Sequence, residues 1–436
     1  MTPSTRPARL KVAYPVHQHV LDNGLRVVVS PDPSAPVVAV NLWYDVGSRD
    51  EPAGQTGWAH LFEHLMFQGS ANVASGEHLQ ALQNVGGSAN ASTWFDRTNY
   101  FETIPSGALD FALWLEADRL ASLPDALTAD NVATQRDVVK EEKRQRYDNV
   151  PYGDAVRRII ETVFPAGHPY AHQTIGSMAD IDAATPEAAA EFFRAHYRPG
   201  NAVLTIVGDV SPKGAFKRAE RHFGWIPASA GPKRPEQAPL PPLAGTPRTD
   251  VAAAVPADAV FWAWRLPIVD TPDFDAADLA LSILGDGQAS RLSRDLLRER
   301  GLVTSVSASP LGLIGGNSVG LASALIAPGV DPTQVEEHLS RQLDALADTG
   351  PTPEELNRAL AQYERSWLSS LAAFDSRADQ FSAYATLRGD PELVNRRLDE
   401  LRAVSSDDIR RACREHLAPG SCAVVTYHAT RGDADA

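Results

Sequence analysis

The spacing of apolar and polar positions changes several times along the chain, and each change predicts an element. Residues 19–30 place two short apolar runs on either side of Asn23-Gly24, a dipeptide suited to a tight hairpin, and predict two short strands. Residues 36–48 continue as a β run. After Gly57 the pattern becomes that of an apolar helix, which contains His60, Glu63 and His64. Residues 108–123 repeat their apolar positions at helical spacing and predict an amphipathic helix. A further helix is expected after Thr128, with Asp130 in its first turn, running through Arg136 to Tyr147. Residues 201–208 are almost wholly apolar, as in a buried strand.

The same order returns later in the chain. Residues 108–145 read as helix, short break, helix, and residues 331–366 repeat that order at similar lengths. Near the end of each half stands His-x-x-Pro-Gly followed by a strand, at His196 to Gly200 and again at His416 to Gly420. Two matches in the same order predict a duplicated α+β domain. Each copy is expected to be a mostly antiparallel sheet covered by helices on one face. Between 226 and 248 proline becomes dense and large apolar residues scarce, which favours an extended linker. The expected division is 1–225, linker 226–248, and 249–436. Only the first half carries the His60–His64 motif, so the chemistry is expected to be asymmetric.

Bulk properties narrow the function. A chain of 436 residues is too long for one ordinary core and suits two domains. Forty basic against 55 acidic side chains give a net charge of -15. This argues against a nucleic-acid partner, which needs a basic face. No apolar run approaches the roughly 18 residues of a membrane span, so no membrane partner is expected. Cys413 and Cys422 are the only cysteines, too few for a disulfide framework. Residues 1–11 hold no apolar run like a signal peptide. A cytoplasmic protein is the expectation.

His60, Leu61, Phe62, Glu63 and His64 spell H-x-x-E-H. Residues four apart share one face of a helix, so both imidazoles can reach one metal ion. Glu63 projects beside that ion without having to ligate it. A carboxylate there can take a proton from a zinc-bound water and return it to a leaving amine. This is the reverse of the H-E-x-x-H motif, with the same mechanics. The plainer account is two satisfied core histidines on an apolar helix.

Three stretches weigh against the plainer account: residues 58–70 around the motif, 90–105, and 136–153. In that order and separation they resemble the pitrilysin/insulinase family of inverted-motif zinc peptidases, in particular its short bacterial processing-peptidase-like members. The resemblance runs through both halves. It implies a zinc endopeptidase subunit holding one zinc per chain, with Glu63 as the catalytic base. It also implies a third ligand from a downstream glutamate. Glu141 and Glu142 lie 77 and 78 positions beyond His64, where the family carries that ligand. Family members place two apolar residues three and four positions before it, as Val138 and Val139 stand to Glu142. Glu142 is therefore chosen, with Glu141 as the alternative. Seven positions before the ligand the family usually has an acidic residue, and this chain has Gln135, which removes a supporting charge. Residues 88–93 resemble the family's edge strand, which pairs with substrate backbone. Asn90, Ala91 and Ser92 are the implied substrate-binding residues.

One departure bears on partners. Active sites of the family also use an arginine and a tyrosine seven positions apart to bind the substrate carbonyl. Aligned on Gly301-Leu302, those positions hold Leu297 and Thr304, with Arg298 nearby and no tyrosine between 297 and 307. The chain is therefore expected to pair with a related chain that supplies them, as a heterodimer, with a homodimer second. The alternative function is a catalytically weak peptide-binding or assembly subunit of the same fold. His168 and His172 also stand four apart, but in a Pro/Gly loop that fixes no common face, and are expected to be structural or surface residues.

Overall fold

The computed structural model describes residues 12–231, 234 and 236–430. Residues 1–11, read above for a signal peptide, and three positions of the expected linker (232, 233 and 235) lie outside these. The chain builds two sheets. The first contains β1 (His17–Val20), β2 (Arg26–Pro31), β3 (Val37–Tyr44), β4 (Ser88–Thr93), β5 (Thr98–Pro105) and β6 (Ala202–Gly208), in the order β1-β2-β6-β3-β5-β4. The second contains β7 (Arg248–Ala253), β8 (Ala259–Leu266), β9 (Val303–Leu311), β10 (Ser318–Ile326) and β11 (Ala423–Ala429), in the order β7-β11-β8-β10-β9. With β1 set aside, the two orders coincide strand for strand. Each sheet has a single parallel pair, β2 with β6 and β7 with β11, and is otherwise antiparallel. The fold is α+β with two duplicated domains.

Alternation along the strands assigns their faces. Val27, Val29, Val38, Val40, Leu42, Leu204 and Ile206 point into one core with the helices of their own half, among them Trp58–Leu65 and Leu109–Ala126. The intervening residues Val28, Ala39, Trp43, Val203 and Val207 point the other way. They pack against Trp367, Leu371, Ala378, Phe381 and Tyr384, all contributed by helices of the second half. The second sheet does the same in reverse. Val260, Trp262, Trp264 and Leu266 face their own helices, while Ala259, Ala263, Val425 and Tyr427 meet Ile159, Ile160 and Val163 of helix Ala155–Val163. Each sheet thus keeps its own helices on one face, and a helix of the opposite half covers the other. Part-buried polar contacts fix the exchange: Trp43 Nε1 donates to Asp379 Oδ1 at 2.8 Å, Arg26 Nη1 to the Ala385 carbonyl at 2.6 Å, and Arg265 Nε to the Val163 carbonyl at 2.7 Å.

The helix expected after Thr128 forms as Ala129–Lys143, with Thr128 and Asn131 making a reciprocal cap. It ends earlier than the pattern suggested, because Arg144–Asp148 continues as a π-helical turn. Hydrophobic spacing does not distinguish that turn from an ordinary one.

Candidate metal centre

Helix Trp58–Leu65 is short and buried on most of its circumference: Trp58, Ala59, Leu61, Phe62 and Leu65 enter the core of the first domain. Of the remaining positions, His60 and His64 face Glu142 of helix Ala129–Lys143, and Glu63 stands beside Thr93 of β4. The imidazoles stand edge to face, ring centres 4.9 Å apart. Glu142 Oε2 lies 3.6 Å from His60 Nε2 and 3.3 Å from His64 Nε2. Two donors bound at 2.0–2.1 Å to one tetrahedral ion stand about 3.3 Å apart. Two imidazole nitrogens and a carboxylate oxygen at this spacing therefore fit zinc in both chemistry and geometry.

The electrostatics suit that use. Burial, with His64 beside it, pushes the His60 pKa down to about 4, so its ring is neutral near pH 7. The hydrogen bond from His64 helps hold Glu142 below the usual carboxylate range, against the effect of partial burial. The other Glu142 oxygen pairs with Arg146 at 2.7 Å. Burial raises the Glu63 pKa, and the nearby Thr93 hydroxyl and His64 oppose the rise. Thr93 Oγ1 approaches Glu63 without closing a well-formed hydrogen bond.

Glu141 turns the other way. It is exposed and pairs with Arg144 at 3.1 Å and Gln145 at 2.9 Å. Of the two glutamates, Glu142 is the one brought to the histidines. The apolar pair used to choose it behaves only half as expected. Val139 is fully buried, whereas Val138 is 42% exposed, since neighbours on a helix lie about 100° apart and only one can follow the inward face. Gln135, two turns before Glu142, is buried.

Strand β4 is an edge of the first sheet, paired only with β5. Asn90 is exposed, and Ala91 turns its methyl into the core. The Ala91 N–H points away from β5 and is met by Asn90 Oδ1 at 2.9 Å. An incoming peptide strand would compete with that contact. Ser92 Oγ bonds Asn99 Oδ1 at 2.7 Å, and Arg97 Nη1 reaches the Ser92 carbonyl at 2.8 Å. Ser92 also lines a cavity of about 330 Å³ against Asp375 and Asp379 of the second half.

The first domain holds a second His/Glu group, His78, Glu102 and Glu116, fully buried. Its cation is supplied by the chain: Arg119 grips both Glu116 oxygens at 2.5 and 2.6 Å. Against the effect of burial, that guanidinium holds Glu116 low, while burial and the Glu116 charge push Glu102 up. Arg119 lies over the Tyr100 ring, and the Tyr100 hydroxyl donates to the Phe62 carbonyl at 3.3 Å. This network therefore braces the motif helix from behind.

Residues 26–176 match the sequence profile described as Insulinase (Peptidase family M16), and residues 183–363 match that described as Peptidase M16 inactive domain. The zinc protease PqqE of Helicobacter pylori is 32% identical over 380 residues, covering 85% of this chain and 83% of that protein. The chain belongs to the insulinase family, M16. The mitochondrial-processing peptidase subunit beta of Lentinula edodes is 26% identical over 432 residues, 93% of this chain and 88% of that one. The crystal structure of a protease from Helicobacter pylori superposes with a TM-score of 0.88 at 28% identity, covering 95% of this chain and 99% of that chain.

Within the M16 fold, the two positions lacking Arg and Tyr lie in the second domain. Leu297 is 37% exposed on a π-helical turn, and Thr304 is exposed on β9, an edge strand like β4. Among the described residues no helix is long and apolar enough to cross a membrane. The sequence reading missed Glu51, whose carboxylate reaches the start of the motif helix, and with it the contact of His172. His168 matches its structural reading: it stacks on Phe164 and accepts the Tyr170 N–H at 3.1 Å.

Proposed function

We propose that this M16 chain is a zinc-dependent endopeptidase subunit acting on peptides or unstructured segments, with one zinc held by His60, His64 and Glu142. The observation that carries this reading is the approach of both imidazoles to a single Glu142 oxygen, with the Glu63 carboxylate on the same helical turn. Zinc at that point would lower the pKa of a coordinated water to about 7 and polarise a carbonyl. Glu63 takes a proton in the attack and delivers it to the departing amine. Its raised pKa suits both halves of that transfer. The open edge of β4 holds the peptide as an added strand, with Asn90 exchanging its contact to the Ala91 N–H for one to substrate.

The wild-type protein is expected to hold about one zinc per chain, and Glu63→Gln to keep the zinc while losing 10²–10⁴-fold in turnover of a mixed peptide pool. A metal-free native protein, or full turnover by the variant, overturns the reading. The absence of Arg and Tyr at 297 and 304 supports a working heterodimer with a related chain, and one relative is itself named as a subunit. Gel filtration with a peptide assay tests this, and strong activity of the chain alone rejects the heterodimer. The two cysteines, free and buried, fit the reducing, cytoplasmic setting of this proposal.

A further inference from the structure

The motif helix begins at Gly57, which has no side chain to cap it. Its φ is +90°, and an added Cβ would stand 2.7 Å from the Ile175 carbonyl oxygen. The N–H groups at the helix start therefore need an acceptor from elsewhere. Glu51 supplies it. Its Oε2 accepts the Gly57 N–H at 2.8 Å and its Oε1 the Ala59 N–H at 2.7 Å. The carboxylate has no exposed surface, and His172 Nε2 meets Oε2 at 2.8 Å.

His172 is itself anchored. Its loop crosses the helix start so closely that a Cβ on Gly176 would fall 2.2 Å from the Gly57 nitrogen. Two residues before His172, the Tyr170 hydroxyl accepts the Gly315 N–H of the second domain at 2.8 Å and bonds Asp96. Asp96 in turn pairs with Arg49 at 2.7 Å, two residues before Glu51. In its ionised form the carboxylate also complements the positive end of the helix dipole.

We infer that Glu51 and His172 form a positioning pair for the metal centre: together they fix the first turn of an eight-residue helix whose next residue after the capped Ala59 is His60. Neither side chain belongs to the set His60, His64 and Glu142. The pair acts by holding the imidazoles at the spacing that one ion requires, as supporting carboxylates do for metal-bound histidines elsewhere. The inference rests on the zinc reading above.

The test uses the full chain with its partner. Zinc affinity is measured by competition with a chelator, and kcat and KM on a peptide pool, for wild type, Glu51→Gln, His172→Ala and His172→Gln. His172→Ala is expected to weaken zinc binding by about 10–100-fold and to lower kcat with KM unchanged. His172→Gln, which keeps an N–H donor, should restore most of both, and Glu51→Gln should match the alanine variant if it folds. A His172→Ala protein whose zinc affinity and kcat stay within about twofold of wild type, with only its unfolding midpoint lowered, overturns the inference while leaving the zinc reading intact. A wild type without zinc overturns both.

Discussion

The two domains share a strand order, yet among the described residues only the first presents a candidate metal-binding set. In the first domain the connection from β3 to β4 carries helix Trp58–Leu65, which turns His60, Glu63 and His64 toward Glu142. In the second, the matching connection from β8 to β9 carries helix Pro272–Gly285, whose Phe274, Leu279, Leu281, Ile283 and Leu284 fill the core. The sheet is the same platform in both. The candidate metal set depends on what the short helix of that connection presents and on one glutamate brought to it. Likeness of fold says little about activity until that helix is inspected.

Breaking the comparison at its strongest point gives the largest effect. Glu142→Gln should abolish stoichiometric zinc and bring peptide turnover to background, as read by metal analysis and assay. Next, the helix exchange predicts that a substitution in the second half destabilises the first sheet. Phe381→Ala, at a fully buried site against β3 and β6, should cost about 3–5 kcal/mol in denaturant unfolding. A loss near zero would mean that the covering helix is not needed.

A pH effect of about 3 kcal/mol should come from Glu51. Burial raises its pKa from the ordinary 4.5 to about 7. The unfolded chain therefore releases this proton between about pH 4.5 and 7 while the folded protein keeps it. Its contribution to stability falls as pH rises through that window and is flat above it. Glu51→Gln should lack this slope when unfolding is compared at pH 5 and pH 8. The smallest effect belongs to Glu141→Gln, whose exposed side chain should leave zinc content unchanged and stability within about 0.5 kcal/mol. A metal loss there would reassign the ligand.

Much of this was legible in the sequence, for physical reasons. The H-x-x-E-H residues lie within five positions of one another, so helical periodicity alone predicts a common face. The duplication showed in element order, β6 formed where the apolar run placed it, and β4 formed where the family resemblance placed it. Glu142 needed the family resemblance, because nothing in a charged helix says which carboxylate faces inward, and the Val138 argument was half wrong. Helices Ala155–Val163 and Phe374–Leu387 bury apolar positions, but an amphipathic pattern does not say which sheet it will cover. Glu51 had no readable signal at all: its partner His172 is 121 positions away, and a carboxylate in a polar loop looks solvated until the loop is folded.

The swapped helices also set how the protein comes apart. A protease nicking the proline-rich stretch between Phe223 and Arg248 would sever the backbone but leave each fragment clasped by the other's arm. The two pieces should co-migrate on a sizing column and separate only in denaturant. Neither, expressed alone, would have a partner to keep water from the bare side of its sheet.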